Sequence, residues 1–542
     1  MNPESQMAKS VNEHEIATSR GKQRDLRRGA FAGALAAVAM LVVIVVARAT
    51  TGVISLLDVL ADALLLALPV GLFAALLDAF GSHAKTLLLG GLLVAILLLG
   101  AALGRLFAAQ TAGSRSVKWG RAGGYGAAIF AGSAILLVLI AGRRMPDQIA
   151  GLRVFAALAA LALAAAAFGL TLAWVLALLR RQDPPPDAAP AAEPAEDAAR
   201  LNRRVWLTRA GLGVATLAGL GVLGREVARV ARRPSVGGGA TGELSAPITP
   251  VEDFYVVSKN FSDPDGVDDG WSLRVDGLVE RPLDLGQADL EALAGEEFVS
   301  TLNCISNPIG GPLIGTARWT GVPLSRVLDQ AGIAAGVVDG IADVVCHGRD
   351  GYTDSIPLEK ALAPETHVVW AMNGAPLNDA HGTPLRIIVP GLYGIKNVKW
   401  LDRIELTNQD YRGYWQDRGW TETAEVKTLA RIDQPGESQI LDAGPTEIAG
   451  VAFAGVRGIR AVEISTDDGA TWQPAQIIAN PSEPAGTTHS WVLWRLPWTP
   501  DAGAYTLAVR ATDGAGAVQP EEETATLPDG ATGWHRVTVG VA

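Results

Sequence analysis

Long apolar runs confined to the first part of the chain constrain its fold more than any other feature. Phe31 to Ala47, Thr86 to Leu103, Gly124 to Ala141 and Val154 to Leu179 approach or exceed the roughly 20 residues that cross a bilayer as helix. The stretch 53–80 is different, because Asp58, Asp62 and Asp78 interrupt it and Pro69 falls within it. Carboxylates are costly in lipid, so this stretch is read as a re-entrant or interfacial segment. After Arg180-Arg181 a Pro/Ala/Glu/Asp-rich run reads as a solvated linker. Asn202-Arg203-Arg204-Val205-Trp206-Leu207-Thr208 then precedes an apolar Ala210 to Leu223. Paired arginines before a moderately hydrophobic Gly/Ala-rich segment look like a twin-arginine export signal retained as an anchor.

These readings give a topology. Arg20, Lys22, Arg24, Arg27 and Arg28 place the N-terminus in the cytoplasm. The expected order is a cytoplasmic basic tail (1–29) and membrane helices (30–180, four spans plus the segment 53–80). A cytoplasmic linker with the twin-arginine-like motif (181–204) and a last span (205–224) follow. Five crossings put the C-terminal half outside the cell membrane. Arg143, Arg144, Arg153, Arg225, Arg229, Arg232 and Arg233 then lie on the outer side, against the usual bias.

Beyond about residue 241 the chain is mixed, acidic and Trp-rich, so the overall net charge of −11 and 49% hydrophobic content describe neither half. Its length exceeds one comfortable core, so two soluble domains are expected, at 241–430 and 436–542. The acidic balance argues against a nucleic-acid partner. Trp271–Val275, Phe298–Leu302, Ala342–Cys346 and Leu385–Val389 read as strands, and Leu324–Ala331 and Leu358–Leu362 as helices, an α+β pattern. Thr446–Phe453, Ile459–Ser465, Trp491–Leu496 and Thr506–Ala511, separated by Asp-Gly turns, read as a β-sandwich. Cys304 is one of two cysteines in 542 residues, the other being Cys346. It ends a β-like run before a Gly/Pro-rich loop, a setting that suits one soft ligand for a metal; Cys346 reads as a buried strand residue.

Ordered motifs carry a resemblance. Thr249-Pro250-Val251-Glu252-Asp253-Phe254-Tyr255, Trp271 to Gly277, Leu302-Asn303-Cys304, Ala317 to Leu324 and Asp350-Gly351-Tyr352 are followed by Met372-Asn373-Gly374-Ala375-Pro376-Leu377, His381-Gly382-Thr383-Pro384-Leu385-Arg386 and Pro390 to Trp400. In this order and spacing, over about 240–542, the chain resembles the sulfite oxidase family of molybdenum enzymes, and a membrane-anchored bacterial branch of it. The resemblance implies a multidomain protein: an N-terminal α-helical membrane region, an α+β molybdopterin domain, and a C-terminal immunoglobulin-like β-sandwich of the kind that dimerises. It implies a molybdenum–molybdopterin cofactor with Cys304 as the single protein ligand of the metal. Asp253, Phe254, Tyr255, His381, Arg386, Asn397, Val398 and Lys399 are the implied cofactor contacts. Arg386 and Lys399 can donate charge-assisted bonds to the pterin phosphate, and Gly391 and Gly394 let backbone approach closely. Trp319 and Trp400 read as core, and Arg318 as a surface ion-pair partner.

The chain also departs from that family. Sulfite oxidases follow the ligand cysteine with a basic stretch, whereas here Ile305-Ser306-Asn307-Pro308 follows and no arginine comes until Arg318. Trp370 stands where an active-site tyrosine is expected, and Arg349 is the local candidate for binding an anion. Cys304, Arg349 and Trp370 are therefore the candidate catalytic residues for oxygen-atom transfer on a small substrate other than simple sulfite, with sulfite oxidation as the alternative. A binding or sensory protein retaining the fold is the rival class. No CxxCH, no cysteine cluster and only His14 and His83 in the helical region lead to the expectation of no haem or iron–sulfur cluster. Electrons then pass to an external partner, a quinone, cytochrome or other redox protein.

Overall fold

The computed structural model describes residues 3–51, 55–69, 84–112, 119–144, 151–181, 195–231, 242–260, 270–332, 343–482 and 487–542, and the single positions 72, 76, 80, 263, 264 and 267. The chain divides into two compact units, one of Met1–Leu68 with His83–Arg232, the other of Arg233–Ala542 with Pro69–Ser82.

The first unit is helical: α1 (Pro3–Thr51), α2 (Leu56–Ala67), α3 (Ala84–Gln110), α4 (Trp119–Arg144), α5 (Gly151–Arg180) and α6 (Ala195–Ala231). Four of these contain segments long and apolar enough to cross a membrane, Ser19–Thr51, Thr86–Gln110, Trp119–Leu139 and Val154–Arg180. Their outward faces keep large apolar side chains such as Leu98, Phe155 and Leu163 exposed, a surface that would suit lipid. Helix α1 packs against α3 and α5, and α4 packs on α5. Gly29 and Gly33 of α1 meet Gly100 and Gly104 of α3 so closely that a Cβ at any of the four would overlap the partner helix. Paired small residues four apart allow this approach, which replaces a hydrophobic driving force with backbone packing. Charge is sparse but paired: the Arg180 guanidinium grips Asp25 through Nε (3.0 Å) and Nη2 (2.6 Å) and also donates to Thr111 Oγ1 (3.0 Å).

The helices run past the expected segment boundaries. The basic tail is not separate, because no helix stop lies between it and the first span and α1 runs through both. Residues 195–204 of the supposed linker are helical and continuous with α6, while 182–194 lie outside the described residues. The described apolar part of α6 is Ala210–Arg225, which lies inside the helix Ala195–Ala231. Of the stretch 53–80, Leu56–Ala67 forms a short helix capped by Ser55, with Asp58 bonded to Arg48 at 2.9 Å. Most of what remains of that stretch lies outside the described residues.

The second unit is β-rich. Its strands are β1 (Leu273–Gly277), β2 (Leu283–Leu285), β3 (Glu296–Asn303), β4 (Ile314–Pro323), β5 (Asp343–Gly348), β6 (Thr353–Pro357), β7 (His367–Met372), β8 (Ala375–Pro376), β9 (Arg386–Ile388) and β10 (Leu401–Thr407). One sheet has the order β2-β1-β10-β5-β6, with β1 and β10 parallel. The other runs β3-β4-β7-β8, with β9 added to β7, and is antiparallel. Helices at Leu324–Ala331 and Leu358–Leu362 coincide with the expected residues. After residue 428 come β11 (Leu429–Gln434), β12 (Ile440–Leu441), β13 (Thr446–Phe453), β14 (Ile459–Ser465), β15 (Gln473–Pro474), β16 (Gln476–Ala479), β17 (Val492–Trp498), β18 (Gly503–Asp513) and β19 (His535–Val541). They form two sheets, β11-β13-β17-β16 and β12-β19-β18-β14-β15, which share a core containing Ile448, Val462, Trp494, Leu507 and Val537. Because β11 pairs with β13, this layer pair begins at Leu429, ahead of the expected start at 436.

Candidate active site

Cys304 sits one residue beyond β3, where pairing with β4 ends. Its N–H still donates to Leu313 O (2.9 Å), and Asn307 N–H donates to Cys304 O (3.0 Å), turning the chain away from the sheet. Asparagine side chains fix that turn: Asn307 Nδ2 donates to Asn303 Oδ1 (3.0 Å), and Leu313 N–H donates to Asn307 Oδ1 (2.9 Å). The following loop is braced from the C-terminal layers, where Arg431 Nη1 donates to Gly311 O (2.9 Å). The thiol is buried and faces the hydroxyl of Ser306, Sγ to Oγ 3.1 Å. Burial pushes the Cys304 thiol up, opposed by the hydroxyl and backbone N–H of Ser306.

This thiol opens into a cavity of about 90 Å³ whose lining includes Phe254, Tyr255, Lys259, Cys304, Asp350, Tyr352, His381, Arg386, Asn397, Val398, Lys399, Trp400 and Trp415. Phe254 and Tyr255 stack (ring centroids 5.5 Å apart), and Phe254 meets the edges of Trp319 and His381. Gly394 passes so near Tyr255 that a Cβ there would lie 2.8 Å from its hydroxyl. A larger residue there would have to push that hydroxyl aside.

His381 is held by a short helical turn whose cap, Asn378 Oδ1, accepts from its N–H (3.0 Å). Its Nε2 lies 3.1 Å from Val251 O, an arrangement that requires Nε2 to carry the hydrogen and leaves Nδ1 as an acceptor. Burial, reinforced by the charges of Arg386 and Lys399, lowers its pKa to about 4, so the ring is neutral at pH 7. Arg386 opens β9 and is 5% exposed. It donates to His381 O (3.2 Å) and Asn397 O (3.3 Å) and lies over the Trp319 ring. Burial lowers its pKa only to about 10, so it stays cationic. Its Nε has no partner, and among the described residues no carboxylate pairs with it. A buried cation without a counterion is costly unless an anion completes it. Lys399 Nζ donates to Ala380 O (2.9 Å) over the ring of Trp400.

The remaining expected residues are placed unevenly. Asn397 lines the cavity, but its side chain is used in the loop: Oδ1 accepts from Val389 N–H (2.7 Å) and Nδ2 donates to Tyr393 O (3.0 Å). Val398 is buried in the neighbouring core and lines the cavity with it. Asp253 is exposed and not part of the lining. Arg349 also lies outside the lining, on the turn after β5, where its Nη2 reaches Thr383 O (3.4 Å). Trp370 projects from the other face of β7, toward Gly295 and the core of the first sheet. Cys346 is buried in β5 as expected, and Trp319 in the core, whereas Trp400 is both buried and part of the cavity wall.

Sequence reasoning did not select Lys259, Asp350, Tyr352 or Trp415. Tyr352 Oη lies 2.7 Å from Ile395 O and 3.0 Å from Asp354 Oδ2, and Asp354 is paired with Lys396 at 2.8 Å, both fully buried. Burial raises the Asp354 carboxyl and the Lys396 ammonium opposes it. Asn260 Nδ2 donates to Asp350 Oδ2 (2.8 Å) and Lys259 Nζ to Asp350 O (2.9 Å), tying the 254–260 segment to the turn. The motif Asp350-Gly351-Tyr352 was the available signal for two of these residues. Lys259 and Trp415 lie in irregular chain that offers no periodicity.

Among the described residues no group of three or more His, Cys, Asp or Glu could hold a metal alone. A lone buried thiol beside an unpaired buried guanidinium instead suits an anionic cofactor that brings most of its own metal ligands. A family model described as oxidoreductase molybdopterin binding domain matches residues 260–415, and one described as Mo-co oxidoreductase dimerisation domain matches 420–542. The chain is 31% identical over 351 residues to the sulfite oxidase of Arabidopsis thaliana, covering 54% of this chain and 88% of that one. It therefore belongs to the sulfite oxidase family and is a molybdopterin-dependent oxidoreductase. It is also 32% identical over 281 residues to the mitochondrial sulfite oxidase of Mus musculus, covering 44% of this chain and about half (51%) of that protein's length. Among solved structures, the sulfane dehydrogenase of Paracoccus pantotrophus aligns with a TM-score of 0.46 at 23% identity, covering 52% of this chain and 76% of that one.

Proposed function

We propose that this chain is a membrane-anchored molybdenum-cofactor enzyme acting on a small molecule outside the cytoplasmic membrane. The observation that carries the reading is one cavity bringing together Cys304, His381, Arg386 and Lys399, which lie up to 95 residues apart in sequence, 399 minus 304. When bound, the cofactor supplies two-electron oxygen-atom transfer at molybdenum. Cys304 would hold the metal as a thiolate. Arg386, with Nε unpartnered, and Lys399 hold the phosphate, while neutral His381 offers Nδ1 as an acceptor. Asn397 orders the loop carrying Val398 and Lys399 rather than reaching the cofactor with its own amide.

Substrate choice follows from charge. Binding a dianion such as sulfite calls for converging guanidinium groups in a desolvated pocket. Arg386 is the sole arginine among the lining residues, and its position suits the phosphate. A neutral oxygen-atom acceptor or donor, an S- or N-oxide and its reduced partner, fits better. Sulfite oxidation is the second reading, favoured by the extent of the match to the plant sulfite oxidase. The four long apolar helices form the anchor, and Arg203-Arg204 ahead of Ala210–Arg225 acts as an export-type signal. The paired C-terminal sheets are an immunoglobulin-like module joining two copies, and electrons pass to an external carrier.

Dye-linked assays on the detergent-purified full chain test the substrate. Turnover of a sulfoxide or N-oxide exceeding that of sulfite by about tenfold or more in kcat/KM is expected, the scale at which a pocket separates unlike ligands. Sulfite preferred by the same margin establishes the second reading.

A further inference from the structure

Among the described residues, the hydroxyl of the residue two places after Cys304 has no partner except Cys304 itself. Ser306 Oγ lies 3.1 Å from Cys304 Sγ, and no second hydrogen bond to that hydroxyl is present among the described residues. The turn bearing it is fixed independently, by the Asn303–Asn307 side-chain bond, by Leu313 N–H on Asn307 Oδ1, and by Arg431 on Gly311 O. Ser306 therefore meets the sulfur in a geometry set by the backbone, not by the thiol's own proton.

We propose that Ser306 is a positioning residue that donates a hydrogen bond to the Cys304 thiolate and thereby raises the reduction potential of the metal it binds. This inference rests on the assignment of Cys304 as the metal ligand. With a thiol, either sulfur or oxygen can donate; once the thiolate forms, sulfur only accepts and the Ser306 proton must point to it. A donor on a thiolate draws electron density from sulfur and weakens its donation to the metal. The electron-rich reduced state is then favoured, as hydrogen bonds to sulfur do for other thiolate-bound metals. The Ser306 backbone N–H also supports the sulfur, so removing the hydroxyl weakens the environment without emptying it.

The test is a redox titration of purified wild type and Ser306→Ala, Ser306→Thr and Ser306→Val, followed by the paramagnetic resonance of the reduced metal, with molybdenum measured per chain. Molybdenum content is expected to be unchanged. At the wild-type midpoint, the reduced-to-oxidised ratio should fall about fivefold in the Ala and Val variants, the worth of one ordinary hydrogen bond. Thr should restore it, since Thr and Val share a shape and differ in the hydroxyl. If Ala fails to load the metal, the Thr/Val pair decides alone. Equal midpoints and equal spectra in metal-loaded Thr and Val variants overturn the proposal and leave the ligand assignment standing. A wild type without molybdenum overturns both.

Discussion

The two units of this molecule are stabilised in opposite ways. In the described part of the helical unit, buried surface is almost wholly apolar, helices meet through glycines, and polar contacts such as Arg180–Asp25–Thr111 and Arg48–Asp58 are few. In the β-rich unit, polar groups are buried in numbers and tied to loops: Lys396 to Asp354, Arg431 to Asp433, Asn397 to three backbone partners. Helices long and apolar enough to cross a membrane can tolerate few unsatisfied polar groups, and such a sequence is simplified. A cofactor site needs groups that are left incompletely satisfied until the ligand arrives, and Arg386 is such a group.

The sharpest way to break the comparison is to remove that incomplete group. Arg386→Leu should reduce bound molybdopterin more than tenfold while leaving the helical unit folded, because it deletes a charge-assisted contact of about 1.5–3 kcal/mol. Pterin fluorescence of released cofactor measures this; full loading of the variant would show that the cation serves packing only. A large residue at the helical contact should act the other way. Gly33→Leu is expected to destabilise the α1–α3 pair by about 1–3 kcal/mol through overpacking, with molybdenum per folded chain unchanged. Thermal unfolding in detergent with metal analysis of the folded fraction checks it.

A smaller effect comes from protons. His381 has a folded-state pKa of about 4, below its value in an unfolded chain, because it is buried beside two cations. Its neutral form is therefore no penalty above about pH 6.5, and stability falls as pH drops from about 6.5 toward 4, where the unfolded chain takes up a proton that the folded site refuses. The loss attributable to this ring reaches about 3 kcal/mol at pH 4, an order-of-magnitude figure. Urea unfolding of wild type and His381→Gln across that range should show the shallower pH slope in the variant; equal slopes would contradict a buried neutral ring.

The units also differed in how far sequence revealed them. Spans in the helical unit follow from hydropathy alone, yet helix ends did not, since a polar extension such as 195–204 adds turns without changing composition enough to signal a stop. In the β-rich unit the strands Thr446–Phe453 and Ile459–Ser465 and the helix Leu324–Ala331 were legible from alternation and periodicity. The expected residues that line the cavity, Phe254, Tyr255, Cys304, His381, Arg386, Asn397, Val398 and Lys399, were all carried by motifs. Trp370 and Arg349 do not line the cavity; strand face and turn direction are not readable without the pairing, and β7 pairs with β4 through a register shift between Thr320 and Gly321 that no sequence pattern announces.

Molybdenum per chain in full-length wild type and Cys304→Ser, expressed in a host that makes the cofactor, tests the central claim most directly. One metal per chain in wild type is expected, with the cofactor-dependent dye-linked activity lost in the variant. Wild type without molybdenum, or a variant retaining both metal and full activity, would contradict it.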